Sequence, residues 1–221
     1  RSGRFDKVVL SRKKSVAIGG VAPETIFRRL LDAYPEAYVY AFYTTESGLW
    51  LGAFAEQLLH LSGHYLTTMA LAGTRWAGSK WGEKEKQEQQ YVTDAIADAL
   101  SPFTVKIRKG ERETIKAGKV EHLRTMIMAQ LADDALLGDV VKALHPTPAV
   151  CGQPKLPARE FILGNEGYDR RFYAGFHGEL NIGFKTDLFV NLRCMEWTPG
   201  SAVLYVGGGI TADSDPVVEW E

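Results

Sequence analysis

Short strand-like segments separated by tight turns limit the folds that are open to this chain. The first part of the sequence contains five of them, at residues 7–10, 37–44, 49–54, 58–61 and 65–71. Ser47-Gly48 and Ser62-Gly63 leave only a few residues between neighbouring segments. Turns this short join antiparallel strands, whereas parallel strands need a crossover of about a dozen residues or more. The pattern therefore predicts antiparallel meanders.

The longest helix candidate, residues 82–100, separates these segments from a second set. Its apolar residues recur at helical spacing, at Val92, Ile96, Ala99 and Leu100. We also predict helices at 23–34, 136–144 and 157–166, a hairpin of 103–109 with 113–116, and strands at 120–131, 173–180, 187–196 and 202–206. The whole is predicted to be one α+β domain, residues 1–221, in which two antiparallel sheets pack together with helices outside them. One sheet is expected from the strands before residue 82 and the other from those after it.

Composition argues against several kinds of partner. Of the 221 residues, 45% are hydrophobic and 24% are charged, with a formal net charge of −1. This is typical of a soluble globular protein and provides no global field that would attract nucleic acid or a membrane surface. Cys151 and Cys194 are too few for a disulfide framework. We expect a cytoplasmic enzyme. Because the chain begins within a strand and stops at Glu221, we also expect it to be incomplete at both ends.

The last eighteen residues, LYVGGGITADSDPVVEWE, combine the features of an anion site. A strand is predicted to end in a turn at the glycines of 207–209, and Ser214, Asp215 and Pro216 predict a capped helix start. Glycine backbone N–H groups and the positive end of a helix dipole both attract anions. The alternative is an ordinary glycine turn between two core elements.

Three acidic residues form a candidate metal site. Glu85 and Glu88 are three apart on the predicted helix 82–100, so their carboxylates project from one face, and Glu219 follows the glycine segment. Carboxylates in small number suit Mg²⁺, which keeps waters or substrate oxygens as its other ligands. The alternative is a solvated helix turn, because charges of opposite sign alternate over residues 83–86.

Two further ionisable residues lie in apolar surroundings. Lys7 lies inside an apolar strand, where burial would favour the neutral amine that can act as a base. Glu56 follows the apolar strand 49–54, and burial there would keep its carboxyl protonated. A base and an acid on opposite sides of a bound molecule are the minimum for moving a hydroxyl group. The alternative for Lys7 is an ordinary position on the solvated face of its strand.

Other residues are candidates for anion or ring binding. Arg193, in the predicted strand 187–196, is expected to be half-buried and to need a carboxylate partner from the protein or from a ligand. Tyr173 could offer a hydroxyl to the same anion. Two prolines stiffen the segment around His145 and Thr147. His122 lies in a predicted strand and is interpreted as a core histidine with a satisfied ring, and the histidine spacing does not indicate zinc.

Several segments, in this order, carry a resemblance to a known family. They are FDKVVLSR at 5–12, LGAFAE at 51–56, LAGTR at 71–75, KEKQEQ at 84–89, LHPTPAVCGQP at 144–154, DRRFYAGF at 169–176, NLRC at 191–194 and GGGITADSDPVVEWE at 207–221. Together they cover nearly the whole chain. The sequence resembles the chorismate-utilising enzymes, and most closely their isochorismate synthase branch.

The resemblance implies a magnesium-dependent isomerase. Water would add to C2 of chorismate while the C4 hydroxyl leaves, and the isochorismate formed would serve menaquinone or siderophore synthesis. Lys7 matches the base that activates water, and Glu56 matches the acid that protonates the departing hydroxyl. The metal-binding positions match Glu85, Glu88 and Glu219. The substrate-binding positions match His122, Thr147, Tyr173, Arg193, Gly207 and Gly209.

The resemblance also bears on partners and on alternatives. Members that deliver ammonia carry glutamine where this chain has Lys7, so no glutaminase subunit is expected, and Ala72 replaces the lysine nucleophile of the aminodeoxychorismate branch. We expect a monomer or a weak homodimer. The chain departs from the family in stopping at Glu221, before the second metal glutamate, in lacking the strands that precede residue 1, in a short 75–82 segment, and in the alanine before Glu56. A salicylate synthase and an inactive anion-binding relative remain as alternatives.

Overall fold

The computed structural model describes residues 6–54, 56–117, 120–212, 214, 215, 217 and 219. These residues form four α-helices: α1 Pro23–Ala33, α2 Glu83–Leu100, α3 Leu137–Leu144 and α4 Lys155–Asn165. They also form twelve strands: β1 Lys7–Ala17, β2 Tyr38–Thr44, β3 Gly48–Phe54, β4 Gln57–Ser62, β5 Tyr65–Trp76, β6 Thr104–Ala117, β7 Val120–Leu131, β8 Gly152–Gln153, β9 Phe176–Ile182, β10 Lys185–Val190, β11 Cys194–Thr198 and β12 Ser201–Thr211. None of the described helices is long and apolar enough to cross a bilayer.

The strands form two antiparallel sheets of six strands, which confirms the predicted α+β class. One sheet has the order β2-β3-β11-β12-β1-β8 and the other β6-β7-β5-β4-β10-β9. The predicted division at residue 82 is wrong, because each sheet takes strands from both sides of α2. The reason is that β4 and β5 pair with later strands, β10 and β7, whereas β3 pairs with β11.

The core lies between the sheets and under α2. On β7 buried residues alternate with half-buried or exposed ones, as expected for a strand with one face on the core. The buried side of α2 carries Val92, Ile96 and Leu100, which pack in the same cluster as Trp50 and Phe54 of β3. The helix spacing recognised in the sequence therefore marks the face by which α2 covers the core.

Two of the predicted strand boundaries are wrong. The expected hairpin of 103–109 and 113–116 is one strand, β6, which pairs with β7 along its length and shifts register between Lys109 and Arg112. Lys109-Gly110 therefore lies at an irregularity in a strand instead of at a turn. The expected strand 187–196 is two strands, β10 and β11, in different sheets. The chain changes sheet at Arg193, whose φ of 46° interrupts the extended backbone.

The glycine segment also differs from expectation. Strand β12 does not end at residue 206 but continues through Gly207 and Gly209 to Thr211, paired with β1 along its whole length. Backbone pairing with β1 holds the glycines extended, so the predicted glycine turn is wrong. Beyond β12, residues 217 and 219 are helical, and Asp215 Oδ1 accepts a hydrogen bond of 2.8 Å from Val217 N. Pro216 and Glu221 lie outside the described residues.

Candidate active site

Lys7 is a buried cation at the start of β1. Its side chain is 2% exposed, and its Nζ lies 2.7 Å from Glu88 Oε1 on α2. β1 runs between β12 and β8, so this lysine is enclosed by backbone on both sides. A Cβ atom at Gly209 of β12 would lie 2.9 Å from both Lys7 Cε and Glu88 Oε1. The absence of a side chain at residue 209 therefore makes room for the ion pair.

Glu56 lies just after β3 and is buried. Burial raises the pKa of its carboxyl to about 7, although the positive charges of Lys7 and Arg193 act in the opposite direction. Its backbone oxygen accepts a hydrogen bond of 2.9 Å from Val190 N at the end of β10. Residue 56 is therefore anchored between the two sheets. Its carboxyl keeps its proton up to about neutral pH and interacts electrostatically with Lys7 and Arg193.

The ammonium group of Lys84 is bound by one of the candidate metal glutamates and is influenced electrostatically by the other two. Lys84 Nζ is 2.8 Å from Glu219 Oε1. Burial opposes its charge, but the hydrogen bond to Glu219 and the negative charges of Glu219, Glu88 and Glu85 outweigh burial and raise the pKa of Lys84. The three carboxylates therefore act on one ammonium group, although Glu219 is the one shown to bond it.

Each glutamate nevertheless has its own partner. Glu85 Oε2 accepts a hydrogen bond of 2.9 Å from Gly82 N at the start of α2, and Glu88 is paired with Lys7. Within the described part of the chain, no three acidic, histidine or cysteine side chains converge closely enough to hold a metal. An oxygen-only donor set around a stand-in ammonium fits a hard divalent cation. The type of these residues suits such a cation, but in this structure each carboxylate bonds a group of the protein.

His122 of β7 lies beside this group. Its Nδ1 is 3.0 Å from Thr74 Oγ1 of β5, at the point where β5 shifts register between Ala72 and Thr74. Burial, followed by the positive charge of Arg193, lowers the pKa of His122, while Gly73 backbone and Glu88 act in the opposite direction. The ring is half-buried rather than a core side chain. It is a neutral imidazole within the influence of both Arg193 and Glu88.

Tyr173 and Gly207 form a second close pair. A Cβ atom at Gly207 would lie 2.5 Å from Tyr173 Oη, so only glycine lets the tyrosine approach β12. The ring of Tyr173 is buried and stacks on Tyr205 of the same strand at a centroid distance of 5.6 Å. Burial raises the pKa of the hydroxyl, which therefore remains a neutral donor. Strand β9 begins at Phe176, so Tyr173 lies in the preceding turn and not in the predicted strand.

Arg193 differs from its predicted environment. It was expected to be half-buried on a strand, but its side chain is exposed in the link between β10 and β11. The left-handed backbone there turns the chain out of one sheet, and Arg193 O accepts a hydrogen bond of 3.4 Å from Ala53 N of β3. No ion pair of Arg193 is found in the described residues, although its charge acts on Glu56 and His122. Its guanidinium is available to a ligand anion at the edge of the site.

Asn191 is a residue that the sequence analysis missed. It is 1% exposed. Its Oδ1 accepts a hydrogen bond of 2.8 Å from Tyr40 Oη, and its Nδ2 donates one of 2.8 Å to Phe172 O. Its backbone bonds Ala174 N and Gly175 O. Asn191 thus ties the turn that carries Tyr173 to the link that carries Arg193. The available signal was an asparagine inside the apolar run Phe189 to Leu192.

Thr147 lies apart from these contacts. Its side chain is 5% exposed, and its Oγ1 has no hydrogen-bond partner among the described residues. Its carbonyl accepts hydrogen bonds from Val150 N and Cys151 N, and Cys151 O accepts one from Val9 N of β1. The loop is therefore fixed to the strand that carries Lys7. A buried hydroxyl without a partner is a group that a ligand can satisfy.

Known proteins identify the family. The model of the family described as "Chorismate binding enzyme" matches residues 1–221. The chain belongs to the chorismate binding enzyme family. This chorismate binding enzyme is 35% identical over 233 residues to the salicylate biosynthesis isochorismate synthase of Pseudomonas aeruginosa, which covers 100% of the chain and 49% of that protein. It is 32% identical over 235 residues to isochorismate synthase DhbC of Bacillus subtilis, over 97% of the chain and 59% of that protein.

Solved structures agree with this assignment. The menaquinone-specific isochorismate synthase MenF of Escherichia coli superposes with a TM-score of 0.87 at 28% identity, covering 99% of this chorismate binding enzyme and 54% of that chain. Anthranilate synthase component I of Streptococcus pneumoniae gives 0.88 at 26% identity, covering 100% and 52%. The predicted fold and family are confirmed, and several of the similar proteins are named isochorismate synthases. The chain spans about half the length of these relatives.

Proposed function

We propose that this protein is an isochorismate synthase, an isomerase that adds water to C2 of chorismate and removes the C4 hydroxyl. The observation that carries the proposal is the arrangement of Lys7 and Glu56. A buried amine and a buried carboxyl whose pKa is about 7 act on each other electrostatically within one site. General acid–base catalysis needs such a pair, with the acid still protonated at the working pH.

In the proposed reaction, Lys7 and Glu56 carry out separate proton transfers. Lys7 is the proposed base: after its ammonium group, which pairs with Glu88, has given up a proton, the neutral amine takes a proton from the attacking water, so that the oxygen adds to C2 as the ring double bonds shift. Glu56 gives its proton to the C4 hydroxyl, which leaves as water, so that product and substrate have the same composition. Release of the Lys7 proton and uptake of one by Glu56 restore both groups for the next turnover.

Substrate binding rests on donors around the same site. Arg193 is an exposed guanidinium with no ion pair among the described residues, and Tyr173 supplies a neutral hydroxyl beside Gly207. Both groups suit a carboxylate of the substrate. His122 and the unpartnered hydroxyl of Thr147 are proposed to line the ring.

We propose Mg²⁺ as the cofactor. Glu88, Glu85 and Glu219 would hold it, because they are the carboxylates whose negative charges act together on the Lys84 ammonium. When bound, the cation would neutralise a substrate carboxylate and fix its position. Glu88 is the member of the set that also touches Lys7, so changes at Glu88 reach both the cation and the base.

The choice of water over ammonia follows from Lys7 and from relatives named isochorismate synthases, including two that are 35% and 32% identical to this chain. A salicylate synthase, which would go on to eliminate pyruvate, is the second candidate, since the Pseudomonas relative is named for salicylate biosynthesis. We further propose a cytoplasmic location, use of the product in menaquinone or siderophore synthesis, a monomer or weak homodimer, and no glutaminase subunit.

The test is turnover of chorismate by the purified protein with Mg²⁺. Isochorismate should form, and salicylate fluorescence should stay at background, whereas a rise would favour the second candidate. Lys7→Ala and Glu56→Gln should each lower kcat by about a thousandfold or more, with substrate binding retained. Lys14→Ala is the matched control, because Lys14 is exposed on the same strand. Equal activity in all four proteins would refute the proposed roles.

A further inference from the structure

A cavity of about 550 Å³ is lined in part by Tyr173, the residue whose hydroxyl lies next to Gly207 of β12. It is bounded by the end of α3, by α4 and by the segment 170–176. Its volume is within the range of about 300–1,000 Å³ that is usual for small-molecule sites. Apolar side chains form much of its wall: Val141, Pro146, Val150, Ile162, Leu163 and Phe176.

Every charged residue that lines this cavity is basic: Lys142, Lys155, Arg159 and Arg170. Two of them are neutralised, Arg170 by Glu166 and Lys142 by Asp139. The other two, Lys155 and Arg159, are not neutralised by an acidic side chain among the described residues. Lys155 Nζ donates only to backbone oxygens, at 3.2 Å to Lys142 O and 2.9 Å to Ala143 O, and Arg159 makes no ion pair there.

Lys155 and Arg159 are four residues apart on α4, so their side chains are neighbours on the helix surface. Burial lowers the pKa of Lys155; Cys151 acts in the opposite direction, and the charge of Arg159 adds a smaller lowering. Two like charges held together beside an apolar wall favour an anion with an apolar body.

His145 supplies an uncharged polar group to the same wall. Its Nδ1 is buried and has no hydrogen-bond partner among the described residues, and its ring meets the edge of Phe176 at a centroid distance of 4.9 Å. Burial, with the charge of Lys155, lowers the pKa of His145 to about 4. The ring is therefore neutral near pH 7. A buried nitrogen without a partner is unfavourable unless a ligand or water satisfies it.

We propose that this cavity binds a small aromatic carboxylate that carries a ring hydroxyl. The carboxylate lies against Lys155 and Arg159, the ring packs on the apolar wall and on Phe176, and the hydroxyl bonds His145 Nδ1. This site adjoins the candidate active site, with which it shares Tyr173, and its proposal does not rest on the proposed function. Because the ring of Tyr173 lines the cavity, an occupant also contacts a residue of the active site.

The test is calorimetric titration of the full chain with 4-hydroxybenzoate in the absence of chorismate. We expect saturable binding at one site per chain and weaker binding of the neutral 4-hydroxybenzamide. Arg159→Gln should weaken binding by about tenfold, and Leu163→Glu, which adds a negative charge to the exposed wall, by at least as much. Arg29→Gln, at an exposed arginine of α1, is the control and should bind as the parent does.

His145→Phe separates the hydroxyl contact from the rest. It should remove the preference for 4-hydroxybenzoate over benzoate while benzoate still binds. Absence of saturable binding would overturn the proposal, as would unchanged affinity in both Arg159→Gln and Leu163→Glu. Loss of binding in Arg193→Gln with retention in Arg159→Gln would place the ligand in the candidate active site and would also overturn it.

Discussion

Lys7 Nζ lies 2.7 Å from Glu88 Oε1, and the two side chains are 2% and 15% exposed. Removing one member of such a buried pair leaves the other charge without compensation, which costs about 3–5 kcal/mol. We therefore expect Glu88→Leu to lower the free energy of unfolding by about that amount, measured by urea denaturation.

The corresponding double-mutant cycle isolates the pair. Lys7→Met combined with Glu88→Leu should be more stable than Glu88→Leu alone, because both charges are then removed. The exposed pair Lys142–Asp139 is the matched control and should show coupling below about 1 kcal/mol. Additive effects at Lys7 and Glu88 would contradict the ion pair.

Glu56 predicts a specific pH profile. Its pKa of about 7 in the folded protein means that the acid is lost as pH rises through neutrality, so kcat/KM should fall above about pH 7. Glu56→Gln should lower turnover by about a thousandfold or more at every pH rather than shift the profile. An alkaline limb that stays unchanged when Glu56 is replaced by Asp would contradict this assignment.

The same carboxyl affects stability with a defined sign. Its folded pKa is raised above the unfolded value of 4.5, so the unfolded state binds fewer protons between about pH 4.5 and 7, and stability falls as pH rises through that window. Glu56→Gln lacks this ionisation. The free energy of unfolding of Glu56→Gln minus that of the parent should therefore increase by on the order of 3 kcal/mol between about pH 4 and pH 8. Urea denaturation at the two pH values measures this difference, and an equal difference at both would contradict the burial of Glu56.

The Tyr173–Gly207 contact predicts a rescue. Gly207→Ala would place a Cβ atom 2.5 Å from Tyr173 Oη, so we expect KM for chorismate to rise about tenfold or more. The double variant Tyr173→Phe with Gly207→Ala should have a higher free energy of unfolding than Gly207→Ala alone, because the clashing oxygen is gone. Gly208→Ala is the control, because a Cβ atom there meets no atom within 4 Å.

Cation binding predicts a thermal shift that is independent of activity. Mg²⁺ should raise Tm in proportion to the logarithm of its concentration above Kd, and a chelator should reverse the shift. Glu88→Gln and Glu219→Gln should reduce the shift. Glu83→Gln should not, because Glu83 is exposed on the same helix turn and paired with Lys86. A shift of equal size in all three variants would place the cation elsewhere.

Replacing Asn191 is expected to weaken substrate binding only by displacing neighbouring residues. Asn191→Ala leaves Tyr40 Oη and Phe172 O without partners, which should cost about 2–3 kcal/mol of stability. KM should rise more than kcat falls, because Tyr173 and Arg193 are displaced while Lys7 and Glu56 are not. Tyr40→Phe removes only one of the two bonds and should have a smaller effect on both quantities.

Sequence patterns predicted the local elements well where one rule decided them. Alternation in β7 and the apolar stripe of α2 reflect burial on one face, and both elements were placed within a residue or two. Pairing between distant strands left no local trace, so the division of strands between sheets was wrong. Gly207 and Gly209 indicate a turn when considered locally, and only the long pairing of β1 with β12 keeps them extended.

The candidate site was predicted mainly through motifs, and its environments less well. The sequence left open whether Lys7 lies on the buried or the solvated face of its strand, because a single lysine at the start of a strand does not show which face its side chain is on. Arg193 was expected to be half-buried since the run 187–196 is apolar on both sides, but its left-handed φ turns it outward. Asn191 was missed because its partner, Tyr40, is far away in sequence and adjacent only in the fold.

The crossing of the chain from β10 to β11 has a mechanical consequence. Arg193 belongs to neither sheet, but the link that carries it is only three residues long, between Val190 of one sheet and Cys194 of the other. An anion bound to this guanidinium would therefore be connected, through that short link, to strands of both sheets.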